Sequence, residues 1–240
     1  MSRIMKTIVQ GIVLGLCIFL ASGSALAQSA KSAVQVSRLT LVPWTTTSAS
    51  WTTIIGNSNP FAANAVTIKT SSQKDLIFSA ALECGLYTKT LVRSKGGTSD
   101  TSLALAGVKV RLLLDPGTAF QRVAEPGDVT FCRRSQELSA TLQGIIGNLS
   151  CFVDGVFTPG ATGCLLTEET ISLVLDTLNA NAFIFALDDV GTGLHNVIVQ
   201  SQIDIDKSVQ LGEADAKALI GKGALEVEEV RLVKGVTIAF

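Results

Sequence analysis

The chain has 240 residues, of which 47% are apolar and 16% charged, with a formal net charge of −1. That composition excludes wholesale disorder. Aromatics are few (Phe 10, Trp 2, Tyr 1), which argues against a surface that stacks on sugars or bases, and a single histidine, His195, excludes multi-histidine metal centres.

Residues 1–27 read as an export signal. Arg3 and Lys6 precede a 13-residue apolar run at 8–20, and Ala25-Leu26-Ala27 forms a small-residue cleavage pattern before Gln28. The alternative is a retained N-terminal anchor. Cys17 follows Leu16, whereas lipid attachment normally follows a small residue. Cleavage leaves residues 28–240 as one domain, and no later stretch is apolar enough to span a bilayer. It also removes two basic residues, leaving 17 against 20 acidic ones, a net charge of −3. Nucleic acid is therefore excluded as a partner, since it needs a concentrated basic surface. The densest basic pair, Arg133-Arg134, reads as a solvated strand end.

In chain order, Val34 and Val36, then Leu39 and Leu41, suggest a first strand with a phase break. Short strands at 51–55 and 65–69 flank a turn at 56–60, and 74–84 is a longer apolar strand. Residues 93–102 read as a polar loop around Gly96-Gly97. Val108, Val110, Leu112 and Leu114 alternate with Lys109 and Arg111, the pattern of a half-buried strand. Asp115-Pro116-Gly117 and Glu125-Pro126-Gly127-Asp128 read as turns, followed by strands at 129–133 and 136–142. At 167–179 the period changes. Thr167 is a good N-cap, Glu168 and Glu169 suit a first turn, and Ile171, Val174, Leu175 and Leu178 have helical spacing, so a short helix is predicted there. Strands resume at 183–187, at 195–203 and at 209–220. A turn at 221–223 leads into 225–233, with a bulge predicted near Glu228-Glu229, and 236–240 closes the chain. The predicted fold is all-β: an antiparallel β-sandwich, jelly-roll-like, with an immunoglobulin-like sandwich as the alternative.

Four cysteines follow the signal: Cys84, Cys132, Cys151 and Cys164. An even number in an exported chain predicts two disulfides, although the count alone allows three pairings. Cys151 and Cys164 bracket a Gly-rich excursion with a hairpin turn at Asp154-Gly155. That favours Cys151–Cys164, and hence Cys84–Cys132, over free buried thiols.

Hydrolase and nucleotide motifs are absent: there is no G-x-S-x-G, H-E-x-x-H or Walker loop. Any Ser–His–Asp arrangement would have to use His195. That residue opens a strand in phase with Val197 and Val199, directly after 189–193, and the expected role is structural, bonding back to the turn as a corner residue. Asp188-Asp189 and Asp204-x-Asp206 offer oxygen ligands for Ca²⁺, against the plainer reading of solvated strand ends, and no other cofactor is expected. Glu229 and Arg231 are expected to pair across one face. Trp44 and Trp51, flanking a Thr/Ser run, are expected to pack rather than to form a ligand platform.

The segments QKDLIFSAALECGLYT (73–88), RRSQELSATLQGII (133–146), LVLDTLNANAFIFALDDVGTGLHNVIVQ (173–200) and GKGALEVEEVRLVKG (221–235) resemble a group of uncharacterised exported microbial β-sandwich proteins. The resemblance implies export and an all-β layout, and carries no activity or site residue. The sequence thus points to a secreted or periplasmic, non-enzymatic module for binding, adhesion or assembly. Its partners would be a protein, a glycan or further copies of itself. The alternative is a carboxylate-dependent hydrolase or lyase acting on extracellular glycans, drawing on Asp188, Asp189, Asp204 and Asp206.

Overall fold

The computed structural model describes residues 32–37, 42–48, 50–94, 96–146, 152–153, 156–157 and 166–232. The segments 1–27 and 236–240, the pair Leu39 and Leu41, and the cysteines Cys151 and Cys164 lie outside the described residues. Fifteen strands follow in chain order: β1 (Ser32–Val36), β2 (Val42–Trp44), β3 (Thr52–Ile55), β4 (Val66–Thr70), β5 (Lys74–Ser94), β6 (Thr98–Leu114), β7 (Arg122–Val123), β8 (Val129–Leu142), β9 (Ile145–Ile146), β10 (Phe152–Val153), β11 (Val156–Phe157), β12 (Leu166–Thr167), β13 (Glu169–Val190), β14 (Gly193–Val209) and β15 (Glu213–Val230).

Two antiparallel sheets make the body. In the first, the order is β1-β15-β5-β13, with β2 also on β15. In the second, β14 is flanked on one edge by β3 and β4 and on the other by β6, which in turn carries β7 and β8. The chain is an all-β antiparallel sandwich, not closed into a barrel. Alternation places Leu76, Phe78, Ala80 and Leu82 of β5 inward, opposite Val108, Val110, Leu112 and Leu114 of β6, and both sets join one buried core. The turn after β5, the β13–β14 corner and the turn at Gln210–Gly212 each carry the chain from one sheet to the other.

Cys84 on β5 and Cys132 on β8 are disulfide-bonded, with Cα atoms 6.6 Å apart, and staple the two sheets in mid-strand. Such a bond belongs to an oxidising compartment.

Three expectations need correction. Residues 167–179 are not a helix. Glu169 to Leu187 pairs with β5 in one unbroken register, and among the described residues there is no helix. The spacing of Ile171, Val174, Leu175 and Leu178 coincides with a second pattern, in which Ile171, Leu173 and Leu175 share one face of a strand. A lone helix of this length is marginal in water, whereas β5 offers hydrogen bonds along the whole segment, and β-branched Thr170, Ile171, Val174 and Thr177 suit it. Most of 93–102 is strand rather than loop: β5 runs to Ser94 and β6 starts at Thr98. Gly96 and Gly97 turn with φ of 63° and 77°, and Asp100 is buried because its carboxylate accepts from Arg93 N (2.6 Å) and Leu211 N (2.9 Å). The phase break in β15 falls between Ile220 and Gly223, not at Glu228-Glu229, and 221–223 is a bulge rather than a turn. A Cβ on Gly223 would meet Ala81 O at 2.4 Å, so the bulge needs glycine there. With β15 in register beyond it, no ion pair joins Glu229 to Arg231 among the described residues; one oxygen of Glu229 is buried without a partner.

On the outer face of the first sheet, Glu213 pairs with Lys89 at 3.1 Å and Arg93 at 2.6 Å. The Lys89 ammonium, with help from Arg93, holds the Glu213 carboxyl below its ordinary range. A carboxyl lowered in this way stabilises the fold at pH above its unfolded value, and that contribution is lost as pH falls through the folded one. An NMR titration is expected to place the Glu213 midpoint below that of an exposed glutamate, and Lys89→Met should move it upward. An unmoved midpoint would show that the pair is not populated in solution.

Candidate functional site

The β13–β14 corner gathers most of the chemistry-bearing residues. Asp115 directly follows β6 with a φ of 50°, and Asp189, also at 50°, sits in the bulge between Leu187 and Val190. A short residue with a side-chain acceptor tolerates this left-handed backbone better than most. Asp115 uses both carboxylate oxygens. Oδ1 accepts from Asn196 N at 2.9 Å, and Oδ2 lies 2.8 Å from His195 Nδ1. His195 Nε2 lies 2.9 Å from Gly191 O, which also accepts from Thr70 Oγ1 at 2.5 Å. Thr70 Oγ1 in turn receives Gly193 N at 3.1 Å. The imidazole therefore ties the end of β6 to the backbone of the corner.

An open cleft of about 600 Å³ adjoins this knot. Its rim carries exposed Phe120 and Leu194, with Arg122 beside them. Arg122 donates to Asp188 O at 2.7 Å and to Asp188 Oδ1 at 3.2 Å. Asp189 Oδ1 accepts from Gln73 at 3.1 Å, and Asp189 N donates to buried Asp75 at 2.9 Å.

This geometry has a chemical consequence. A general base needs a ring nitrogen facing a substrate proton or a nucleophile's hydroxyl. Here Nδ1 faces a carboxylate and Nε2 faces a backbone carbonyl, so both ring nitrogens point at groups of the corner itself. Removing the partner should loosen the corner: Asp115→Ala leaves Asn196 N–H and His195 Nδ1 without their acceptor. We expect a loss of roughly 2 kcal/mol, read as a lower midpoint in urea unfolding with unchanged slope. Stability equal to the parent's would show that the knot contributes nothing.

The candidate Ca²⁺ ligands are split. Asp188 and Asp189 stand at the corner. Asp204 and Asp206 lie on β14 opposite Gly107 and Leu105, about 36 and 43 Å along the strand from Gly193 at roughly 3.3 Å per residue. Among the described residues, no group of three or more His, Cys, Asp or Glu could hold a metal ion. The four acids likewise do not face one another across a single cleft, as a glycosidase pair would. Trp44 is half-buried against the core, and Trp51 lies under the Arg111 guanidinium, 4.3 Å from ring centroid to Cζ. Sequence reading missed Asp115 as a side chain of interest, seeing only a turn residue. The signal was present in an acidic residue opening a Pro-Gly turn, but nothing local links position 115 to 195.

No protein-family model and no curated protein matches the chain. Among solved structures, it aligns with a T13 particle of IBDV at 10% identity and a TM-score of 0.12, covering 85% of this chain and 40% of that one. It aligns with infectious bursal disease virus, Gx strain, at 11% identity and a TM-score of 0.10, covering 84% and 40%. The chain spans about two fifths of the length of these viral chains, and likeness this slight carries no argument about fold or function.

The sheet edges differ from one another. β8, at the edge of the second sheet, exposes Arg133 and Glu137 among Thr and Ser, as a protected edge does, whereas Arg134 is not the solvated residue expected: it donates to Leu86 O at 3.0 Å and Leu175 O at 3.1 Å of the first sheet. β13, at the edge of the first, is not protected in this way. Val174, Leu178 and Ile184 on its outer face are 51%, 53% and 66% exposed, and Ile171, Leu173 and Leu175 on its inner face, though less open, are still 43%, 40% and 41% exposed.

Proposed function

We propose that this protein is an exported, secreted or periplasmic, non-enzymatic β-sandwich that serves as a binding and assembly module. The observation that carries this reading is β13, a 22-residue edge strand with large apolar side chains exposed on both faces. Monomeric proteins seldom leave such a strand open, because its backbone and side chains together invite another chain. The disulfide fits an extracytoplasmic site of action, and the engaged imidazole of His195 fits a role without turnover.

The test is to crosslink intact cells that make the chain, isolate the extracytoplasmic fraction, and size the species that contain it. Recovery in complexes heavier than the 25.1 kDa chain is the expected result. A purified chain that turns over a polysaccharide, with loss of that turnover on mutating Asp188 or Asp189, would overturn it.

A further inference from the structure

The unpaired side of β13 has a definite hydrogen-bonding pattern. The register with β5 is unbroken from Glu169↔Ser94 to Leu187↔Leu76. Near its end, Ala186 turns both backbone groups away from β5, donating to Glu125 O at 3.0 Å and accepting from Glu125 N at 2.9 Å. In an antiparallel ladder such residues alternate. The even-numbered residues from Thr170 to Ile184 therefore direct their N–H and C=O groups to the open edge, where no described strand meets them. Arg134 and Gln136 of β8 reach β13 at the carbonyls of Leu175 and Leu173 and at the Thr177 hydroxyl, all on odd-numbered residues.

Resting on the assembly reading above, we infer that β13 pairs antiparallel with β13 of a second copy of this chain, about a two-fold axis at Leu178. The occupant must be a strand, because only another backbone fills a row of alternating donors and acceptors. It is this strand because the segment is self-complementary. Between Thr170 and Leu187 the one charged residue is Asp176. With the axis at Leu178, Asp176 faces the partner's Ala180 and Val174 faces the partner's Ala182, while Leu178 meets the partner's Leu178. The two carboxylates then stand four residues apart along the ladder, well separated. Ala180 and Ala182 leave room for the larger partners. Residues 172–184 supply about 14 hydrogen bonds, two for each of seven opposed pairs. On the outer face, Leu178 already leans over Gly85 toward Leu219: a Cβ on Gly85 would lie 3.4 Å from Leu178 and 3.0 Å from Leu219. The dimer extends that apolar ridge across the axis.

The test uses the exported full chain in light scattering after size exclusion, with three variants. The parent is expected at twice the chain mass. Leu178→Lys, which sets two ammonium groups on the axis at an exposed position, should weaken the dimer at least tenfold while leaving the thermal midpoint of the monomer unchanged. Leu178→Cys should oxidise to a linked dimer in which the peptide spanning 178 is joined to itself. Val174→Cys alone should not link, but combined with Ala182→Cys it should. A dimer that Leu178→Lys leaves intact, or one that links through other strands, overturns the β13 pairing and leaves the assembly reading standing. A monomer up to about 100 µM, with no heavier species in crosslinked cells, overturns both.

Discussion

Replacing both Cys84 and Cys132 by alanine is expected to cost roughly 4 kcal/mol of folding stability. The bond closes a loop with a sequence separation of 48, and the chain-entropy relation gives about that figure for such a loop. The location adds to the effect. Cys84 is 3% exposed on the central strand β5, and its partner stands on β8 of the opposing sheet, so the bond clamps the two layers where the core lies between them. For a domain of about 200 residues the loss corresponds to a fall in Tm of roughly 8–16 °C. Circular dichroism melts of the double variant and the parent, both fully oxidised, decide the matter. A fall under 3 °C would mean that packing alone holds the sheets together.

The second large effect is expected at Phe185. Its ring is fully buried on β13, directly opposite Phe78 on β5, and Phe78 in turn faces Val227 on β15. Three adjacent strands thus interlock through these side chains at one level of the core. Phe185→Ala should remove roughly 3–5 kcal/mol, the sum of lost apolar burial and the cavity left beside Phe78. Phe61, exposed on the turn before β4, is the control: Phe61→Ala should change stability by less than about 0.5 kcal/mol. Denaturant unfolding of the two variants checks the ordering. Equal effects would mean that the core is not organised about Phe78 and Phe185.

Most of the fold was legible because the period-two pattern is strong wherever one face of a strand is covered. Val108 to Leu114 shows this, since Val108, Val110, Leu112 and Leu114 are all buried. β13 was misread for the opposite reason. Its N-terminal half is an edge with apolar residues on both faces, so period two is blurred and a helical spacing emerges by coincidence. The same exposure that hid the strand from sequence reading makes it the most telling surface of the molecule. The corner was half legible. His195 could be placed in phase with Val197 and Val199, but its bond to Asp115 depends on the β6–β14 pairing, which brings together residues 80 apart in sequence. Thr88, Thr90 and Gln136 are buried together between the sheets, with Gln136 Oε1 receiving Thr88 Oγ1 at 2.8 Å and its Nε2 donating to Thr90 Oγ1 at 2.6 Å. No local pattern distinguishes such a satisfied interior network from a solvated face.

The place of β5 at the centre of the first sheet sets the timetable of folding. Both strands that flank it come later in the chain: Ser94 pairs with Glu169, 75 residues on, and Asp75 with Val230, 155 residues on. At a synthesis rate of about 5–20 residues per second, the second of these partners arrives roughly 8–30 seconds after Asp75 itself. Until Glu169–Val190 emerges, this strand of 21 residues has neither ladder filled, and its β15 side stays open for the rest of the interval. Contacts of such long sequence separation also form slowly once the chain is complete. The nascent chain is thus most vulnerable to aggregation over residues 74–94. A chaperone that binds extended apolar segments would find its best site there, and a chain cut short before residue 213 would leave the β15 side of that strand permanently unpaired.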